Sequence, residues 1–451
     1  MPAMPDWDVL VVGGGPAGTS TALELIRRGS LSVLAVERTD YDRPRIGETL
    51  SPAARALLDH LRAPAYDDGH RPAYGTSAAW GSAQLVTRDF LMTPFGAGWH
   101  LDRRRFDERL AAAARKAGAE VWTSSRVRDL RRDGDGFVAS VRRADGGTRP
   151  VRARFVVDAT GKAASVARRL GGDHRRLDGL VGIAATMRYR DEPPAESLTL
   201  VESFEHGWSY TAPLPGRELI AVVMTDAGLA RRLDLTRPDA WLGLLTGLPH
   251  TGPRLAGGGP AEAPRVLAAH SACLARPSGP GWAAVGDAAA SHDPLSSTGI
   301  VRALESGIHA ARAIHATLVR GDRDALAEYD RRQDRAFDRY CDTRTAYYRM
   351  EARWPSAPFW HRRHRLVSLD PSQPLAAAGP EPRKPRLPAD LRHVDAARLL
   401  ALAAAGSPSH ELAAGYRAEA AQPVRDLDLI LALQWLTANG DLVRTAADQR
   451  A

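Results

Sequence analysis

The chain has 451 residues, 44% apolar and 25% charged, the proportions of an ordinary globular protein with room for two or three domains. Its 61 Lys and Arg against 53 Asp and Glu leave a net charge of +8, carried almost wholly by Arg, since lysine occurs only at Lys116, Lys162 and Lys384. No nucleic-acid motif accompanies that excess, which reads as an Arg-rich surface plus a phosphate site, with an acidic partner as the other use. The only cysteines, Cys273 and Cys341, have no metal spacing, which argues against a disulfide framework or a zinc site. No apolar run approaches the ~18 residues of a membrane span, and the N-terminus runs straight into a first strand, so a cytoplasmic protein without a signal peptide is expected.

The stretch Asp8–Glu37 reads as strand, glycine turn, helix, strand, acid. An apolar run, Val9–Val12, leads into Gly13-Gly14-Gly15-Pro16-Ala17-Gly18, a helix to Gly29 and a second apolar run, Leu31–Val36. Gly13 suits the tight turn, Gly15 lets a pyrophosphate approach the backbone, and Gly18 lets the helix pack closely. Unpaired N–H groups at the helix start favour phosphate. Glu37, roughly 20 residues on, stands where an acid grips ribose hydroxyls. This predicts a dinucleotide site without saying which dinucleotide. Arg38, Arg45, Gly47 and Glu48, on the loop that follows, are further candidate cofactor contacts.

Pro52 predicts a helix to about Leu61, and residues 66–98, rich in Gly, Pro and aromatics, predict strands and loops covering a ligand. A helix over Arg103–Ala117, ended by Gly118, and a strand over Glu120–Trp122 follow. A hairpin then leads to Arg154–Gly161. Period-2 segments at Val181–Tyr189, Leu198–Phe204, Trp208–Leu214 and Leu219–Thr225 predict an antiparallel sheet. Trp282–Asp287 is another strand ending in an acid, ahead of helices from Gly299 to about Leu318 and from about Asp324 to Met350. The expected fold class is α/β: a Rossmann-type cofactor domain from residues 1–177 and 265–320, an interleaved antiparallel-sheet substrate domain from 178–264, a long helix and aromatic cover over 321–366, a Pro-rich linker over 367–390, and a small helical C-terminal region over 391–451.

Three separated motifs converge: the glycine fingerprint, Asp158–Gly161, and Gly286-Asp287 followed by Pro294 and Gly299. With them, about residues 6–350 resemble the FAD-dependent monooxygenases related to p-hydroxybenzoate hydroxylase and their relatives, the flavin-dependent halogenases. The resemblance implies that Asp287 binds the ribityl chain of FAD, that Pro294 and the turn through Thr298, Gly299 and Ile300 lie against the isoalloxazine, that Arg103 lies near the cofactor, and that the backbone near Val127 meets the adenine. A helix beginning at Gly299 then aims its positive end at the ring, which favours an anionic reduced flavin by roughly 0.3–1 kcal/mol.

Tryptophan halogenases carry an Asp-Pro-Leu-Glu-Ser-Thr-Gly turn, a lysine between the first helices and a Trp-x-Trp-x-Ile-Pro motif. Here the turn is Asp293-Pro294-Leu295-Ser296-Ser297-Thr298-Gly299, no lysine exists before Lys116, and the third motif reads Trp208-Ser209-Tyr210-Thr211-Ala212-Pro213. The scaffold is halogenase-like and the halogenating groups are missing, so a flavin C4a-hydroperoxide is the expected electrophile. Single-component hydroxylases use an Asp-Gly pair with NAD(P)H; Thr160 stands in the acid's place before Gly161, so the flavin is expected to be reduced by NAD(P)H, either directly or through a separate flavin reductase as in halogenases. The segments Ser77–Ser82, Gly98–Arg103, Trp208–Pro215 and Asp293–Gly299 resemble more closely the flavoprotein maturases that modify tryptophan in amine oxidases and quinohemoprotein amine dehydrogenase. The expected activity is hydroxylation of an indole or phenol, free or in a tryptophan-bearing peptide, without nucleic acid or membrane partners. The alternatives are a lysine-free halogenase, a non-catalytic flavin-binding maturation protein, and a reductase of isoprenoid double bonds. Candidate catalytic residues are His292, Asp293 and His100; Trp80, Trp99, Trp208 and Tyr210 are candidate pocket residues.

Overall fold

In the computed structural model the described residues are 6–42, 45–63, 69–90, 95–193, 196–364, 372, 374–379, 387, 391, 393–438 and 441–445. They divide into two units, Met1–Tyr340 and Cys341–Ala451.

In the first unit, strand β1 (Trp7–Val12), helix α1 (Pro16–Arg28) and strand β2 (Val33–Val36) form the expected βαβ unit. The chain leaves it through a short helix, Ala54–His60, two residues later than Pro52 predicts, and through strands β3 (Gly75–Ala79) and β4 (Val86–Asp89). It returns with α2 (Arg103–Ala117) and β5 (Glu120–Trp122). Asp102 caps α2 by accepting from the Arg104 and Arg105 N–H groups, and Gly118 ends it in the left-handed region at φ 113°. Strand β6 (Thr148–Asp158) then pairs parallel with β1.

The second sheet is built mainly from β7 (Leu180–Arg188), β8 (Leu198–Phe204), β9 (Gly207–Leu214) and β10 (Glu218–Asp226). The chain closes the first sheet with β11 (Trp282–Ala284) and adds α3 (Gly299–Arg320) and α4 (Ala325–Met350). The parallel order is β11-β6-β1-β2-β5. Both faces of these strands are buried, which explains unbroken apolar runs in place of alternation. Val9, Val11, Val33, Ala35, Phe155 and Val157 join the core under α1 and α3, while Leu10, Val12, Leu34, Val36 and Val156 face the opposite core.

The second sheet does not stop at the segment 178–264. Strand β3, from the excursion, pairs parallel with β8 and carries β4 as the edge, and Arg265–Ala268 pairs with β7. Edge β8 has unpaired backbone groups that need partners, and the excursion supplies them. Tertiary pairing, not local pattern, makes a strand of Gly75-Thr76-Ser77-Ala78-Ala79.

In the second unit, helices Ala396–Leu402, Ser409–Glu419 and Asp426–Ala438 pack around Leu399, Leu412, Leu429 and Leu433. A small sheet accompanies the expected helices: Pro374–Ala377 pairs with Ser407–Pro408 and Leu442–Arg444. Most of the Pro-rich stretch, including Pro371, Pro380, Pro382, Pro385 and Pro388, and the Asn439-Gly440 pair lie outside the described residues. The aromatic cover is a cluster of its own: Tyr348, Phe359 and Trp360 pack within 5.0–6.2 Å of one another, with Trp354 stacked on Trp360. Among the described residues no helix is long and apolar enough to cross a membrane.

Helices α1 and α3 touch through backbone. A methyl group on Gly307 would lie 2.0 Å from Ser20 Oγ and 2.6 Å from the Ala17 carbonyl oxygen. Gly307→Ala is therefore expected to force the helices apart and cost about 1–3 kcal/mol, read as a lowered midpoint in urea unfolding with bound flavin lost in parallel.

Candidate active site

The N-termini of α1 and α3 open on one cavity of about 770 Å³, within the size range of cofactor sites. Neither terminus has a side-chain cap or an acid in its first turn, so both leave N–H donors and positive partial charge facing the cavity.

The glycine turn is shaped by contact. Gly13 lies at φ 116°, where a methyl group would sit 2.2 Å from the Ala159 carbonyl oxygen, and one on Gly18 would sit 1.9 Å from the Gly13 carbonyl oxygen. On Gly15 the nearest atom would be Arg45 Nη1 at 3.5 Å, so its cavity side is open to a phosphate. Pro16 and Ala17 line the wall beside it. Gly286 packs behind the wall, where a methyl group would come 2.7 Å from Ala17 Cβ.

Glu37 ends β2 almost wholly buried. Its Oε1 accepts from the Thr39 N–H and hydroxyl and from Arg45 Nη2, and its Oε2 accepts the Gly14 N–H at 2.8 Å, which leaves a lone pair on Oε2 for a ribose hydroxyl. Arg45 also reaches buried Asp107 at 3.0 Å. Asp107 holds Arg103 through Nη2 and Nε, freeing Nη1 to donate to the Ile46 and Gly47 carbonyls at 2.7 and 3.2 Å. The loop carrying Gly47 and Glu48 is thereby fixed against the cavity. Arg38 and Val127 line the same end.

Asp287 lines the opposite wall. Among the described residues it meets no hydrogen-bond donor of the protein, and burial raises its carboxyl above the usual range against the weaker pull of Lys162 and Arg103. A buried acceptor facing the cavity fits a ligand's hydroxyl chain. Asp293 caps the turn Pro294–Ser296 by accepting the Leu295 N–H at 3.0 Å, and its own N–H donates to the Tyr340 hydroxyl at 2.6 Å. Pro294, Gly299 and Ile300 line the cavity there, while Thr298 sits behind them, bonded to Ser296 Oγ and Arg302 Nε.

His292 lines the cavity edge-on to Tyr340, 4.3 Å between centroids. Among the described residues its Nε2 has no hydrogen-bond partner, and burial, with Arg302 and Lys162 nearby, holds its pKa well below the usual value. Burial thus disfavours its charged form. His100 is not in the cavity wall. It is wholly buried behind Thr49, its pKa driven to about 3 by desolvation with Arg254 and Arg71 near. Trp80 and Trp99 are not among the residues that line the cavity: Trp80 sits edge-on to Trp208 at 6.3 Å, and Trp99 lies under the Arg55 guanidinium at 4.7 Å.

Trp208 and Tyr210 do line the cavity, with Thr199, Val201, Met224 and Gly182 on the same sheet face. Between that wall and the loop sits Glu48. It accepts from the Tyr210 hydroxyl, and desolvation raises its carboxyl to about 7. Sequence reasoning grouped Glu48 with the cofactor contacts because only the fold brings Tyr210 to it. Lys162 and Asp107 were missed altogether. Lys162, directly after Gly161, lines the cavity beside Asp287 and donates to the His270 carbonyl at 3.1 Å. Asp107 had a signal: it stands one helical turn beyond Arg103.

The tryptophan halogenase family pattern matches residues 78–376, and an FAD-binding domain pattern matches residues 8–63. The chain belongs to the tryptophan halogenase family. LodB of Marinomonas mediterranea, named as an FAD-dependent oxidoreductase, is 32% identical over 379 residues, covering 81% of this chain and 99% of LodB. The myxobacterial chondrochloren halogenase CndH superposes with a TM-score of 0.72 at 26% identity, over 79% of this chain and 85% of that one. The peptidyl tryptophan dihydroxylase QhpG superposes at 0.66 and 25% identity over 96% of this chain and 99% of QhpG. This family member is an FAD-dependent oxidoreductase, and the glycine cradle, the paired helix N-termini, Glu37 and the unpartnered Asp287 fit that cofactor.

Asp287→Ala is expected to weaken FAD binding about 10- to 100-fold by loss of a buried acceptor, with the fold kept, as read by flavin fluorescence titration and circular dichroism. Gly18→Ala is expected to yield protein without flavin.

Proposed function

We propose that this family member hydroxylates the electron-rich ring of a tryptophan side chain, free or peptide-bound, with FAD, dioxygen and NAD(P)H-derived electrons that arrive through a separate flavin reductase. The observation that carries the reading is the substrate wall: Glu48, Tyr210 and Trp208 face the cavity there, and the cavity's only lysine among the described residues, Lys162, stands on the cofactor side with Asp287. Ser296, in place of the halogenase glutamate, is bonded to Thr298. The full-length likeness to a peptidyl tryptophan dihydroxylase supports the same choice.

Reduced FAD supplies oxygen activation when bound. The protein's share is to bind, orient and move a proton. Trp208 offers an aromatic wall against which a ring can pack. Hydroxylation replaces a ring C–H with C–OH, so one proton must leave. The Glu48 carboxylate takes it, positioned by the Tyr210 hydroxyl, and a carboxyl near pH 7 is well matched to that task. His292, whose charged form burial disfavours, presents a ring nitrogen with no protein partner among the described residues. Thr160 donates through its hydroxyl and its N–H to Asp158 at 2.6 and 2.9 Å, so this turn offers NAD(P)H no free carboxylate, which suits a separate reductase.

The test is mass spectrometry of products from FAD-loaded protein with a generic flavin reductase, NADH and tryptophan, tyrosine or tryptophan-bearing peptides, with and without bromide. A gain of one oxygen independent of bromide is expected. A bromide-dependent mass gain marks a halogenase and overturns the reading. The rate should rise with pH through about 7 as Glu48 ionises; Glu48→Gln should lower it roughly 10²- to 10⁴-fold and flatten that limb. Stability gives an independent check. A carboxyl raised from 4.5 to about 7 is protonated in the folded state while the unfolded chain has ionised, so its burial costs stability as pH climbs through that window. Glu48→Gln should raise Tm at pH 8 and leave it nearly unchanged at pH 4.

A further inference from the structure

The turn between His292 and Thr298 faces the cavity along most of its length: His292, Asp293, Pro294, Leu295, Ser296 and Ser297 all line it. It is not a relaxed turn. Ser297 lies at φ 48°, in the left-handed region that a residue with a Cβ rarely adopts. Such a conformation persists only where the surroundings hold it. Part of that hold comes from a side chain that does not itself line the cavity. Tyr340, on α4 and almost wholly buried, meets the turn at three places. Its hydroxyl accepts the Asp293 N–H at 2.6 Å and shares a second hydrogen bond, also of 2.6 Å, with the Ser271 hydroxyl. Its ring stands edge-on to His292, with 86° between the planes. The Arg302 guanidinium lies 6.0 Å from the ring centroid, and Arg302 Nε donates to Thr298 Oγ1 at 3.1 Å. Both ends of the turn thus converge on one tyrosine. Ser271 is anchored in its turn, its N–H donating to Asp178 at 3.3 Å.

We propose that Tyr340 is a positioning residue: from outside the cavity it sets the place of this turn, and of His292 beside it, against the bound flavin. The inference rests on the hydroxylase reading and adds to it a residue that governs how well oxygen transfer is aimed. Tyrosine suits the task. Its hydroxyl can accept from Asp293 and donate to Ser271 at once, while its ring packs against Phe337, 5.5 Å away, as well as against His292. Phenylalanine there would keep the packing and take that acceptor from the buried Asp293 N–H. The strained turn would then be free to relax. Transfer between two held groups is sensitive to such a shift, a misplacement of about 1 Å costing roughly 10²-fold. Dioxygen that takes both electrons of the reduced flavin without passing an oxygen atom to the ring leaves, with two protons, as hydrogen peroxide. A displaced turn is therefore read as peroxide in place of product.

The test compares Tyr340→Phe with Tyr329→Phe in the full-length FAD-loaded protein. Tyr329 is a matched control: it stands on the same helix, is equally buried at 3% exposure, and its hydroxyl donates to the Ala284 carbonyl on β11 at 2.6 Å. Both variants should lose similar stability in urea. Only Tyr340→Phe is expected to change the visible circular dichroism of the bound flavin, with FAD affinity nearly unchanged. Only Tyr340→Phe should lower kcat for the aromatic substrate, by about 10-fold with little change in KM, and raise the peroxide released per NADH consumed. A Tyr340→Phe protein with wild-type flavin dichroism and wild-type peroxide yield overturns the proposal, as does a Tyr329→Phe protein that alters both equally. Wild type that adds no oxygen to any tryptophan substrate, while Tyr340→Phe still changes the flavin dichroism, sinks the hydroxylase reading and leaves the positioning role standing.

Discussion

The close crossing of α1 and α3 is the constraint on which the site depends. Gly307 lets the Ser20 hydroxyl and Ala17 carbonyl approach where any methyl group would collide, and Gly18 lets α1 settle on the Gly13 carbonyl. The Ser306 hydroxyl, accepting the Gly286 N–H at 2.7 Å, ties α3 to the turn that carries Asp287. Two uncapped helix N-termini are thereby brought to one cavity from different parts of the chain. Each contributes roughly 0.3–1 kcal/mol toward an anion at its end, and both are left without an internal counter-charge. A site built this way favours a ligand with negative charge at two places, which is the charge pattern of a pyrophosphate joined to a reduced flavin.

Environment, not residue type, sorts the buried carboxylates. Glu37 and Asp107 are bound to Arg45, Arg103 and a backbone donor, so they hold the loop in shape while Glu37 Oε2 keeps a lone pair toward the cavity. Asp158 is taken up by Thr160 and the Ala167 N–H. Asp287 and Glu48 are different: each is buried in the cavity wall without a cation in contact, and each is raised by desolvation. A carboxylate kept buried without a cation is costly unless a ligand or a proton completes it. The two face one cavity from different parts of the chain, Asp287 near Lys162 and Glu48 accepting from the Tyr210 hydroxyl.

What was legible follows from the same physics. The βαβ unit could be read because strands buried on both faces leave unbroken apolar runs, and α2 could be bounded because Asp102 and Gly118 are its caps in the structure. Trp208 and Tyr210 were legible as pocket residues because period 2 puts both on one face of β9. Trp80, Trp99 and His100 were grouped with them by side-chain type, and type carries no information on which side of a wall a residue stands. The strands β3 and β4 carry no pattern of their own, since Gly-Thr-Ser-Ala-Ala becomes a strand only by pairing with β8. The Glu48–Tyr210 pair joins segments far apart in sequence, so nothing local announces it.

The cavity is electrically polarised along its length. At one end stand Lys162 and the two helix N-termini, and burial, with Arg302 and Lys162 nearby, holds the His292 pKa well below its usual value. At the other end, Glu48 lies under the sheet face with a tyrosine hydroxyl for company. Oxygen transfer to an aromatic ring separates charge in that sense: negative charge is left on the cofactor side and a proton must depart from the ring. A lysine on the substrate wall would oppose this arrangement, placing positive charge where the proton has to leave. Arg103 lowers the carboxyls of both Glu48 and Asp287, and Lys162 that of Asp287 alone, so the positive charge is graded toward Asp287 and away from the Tyr210 hydroxyl.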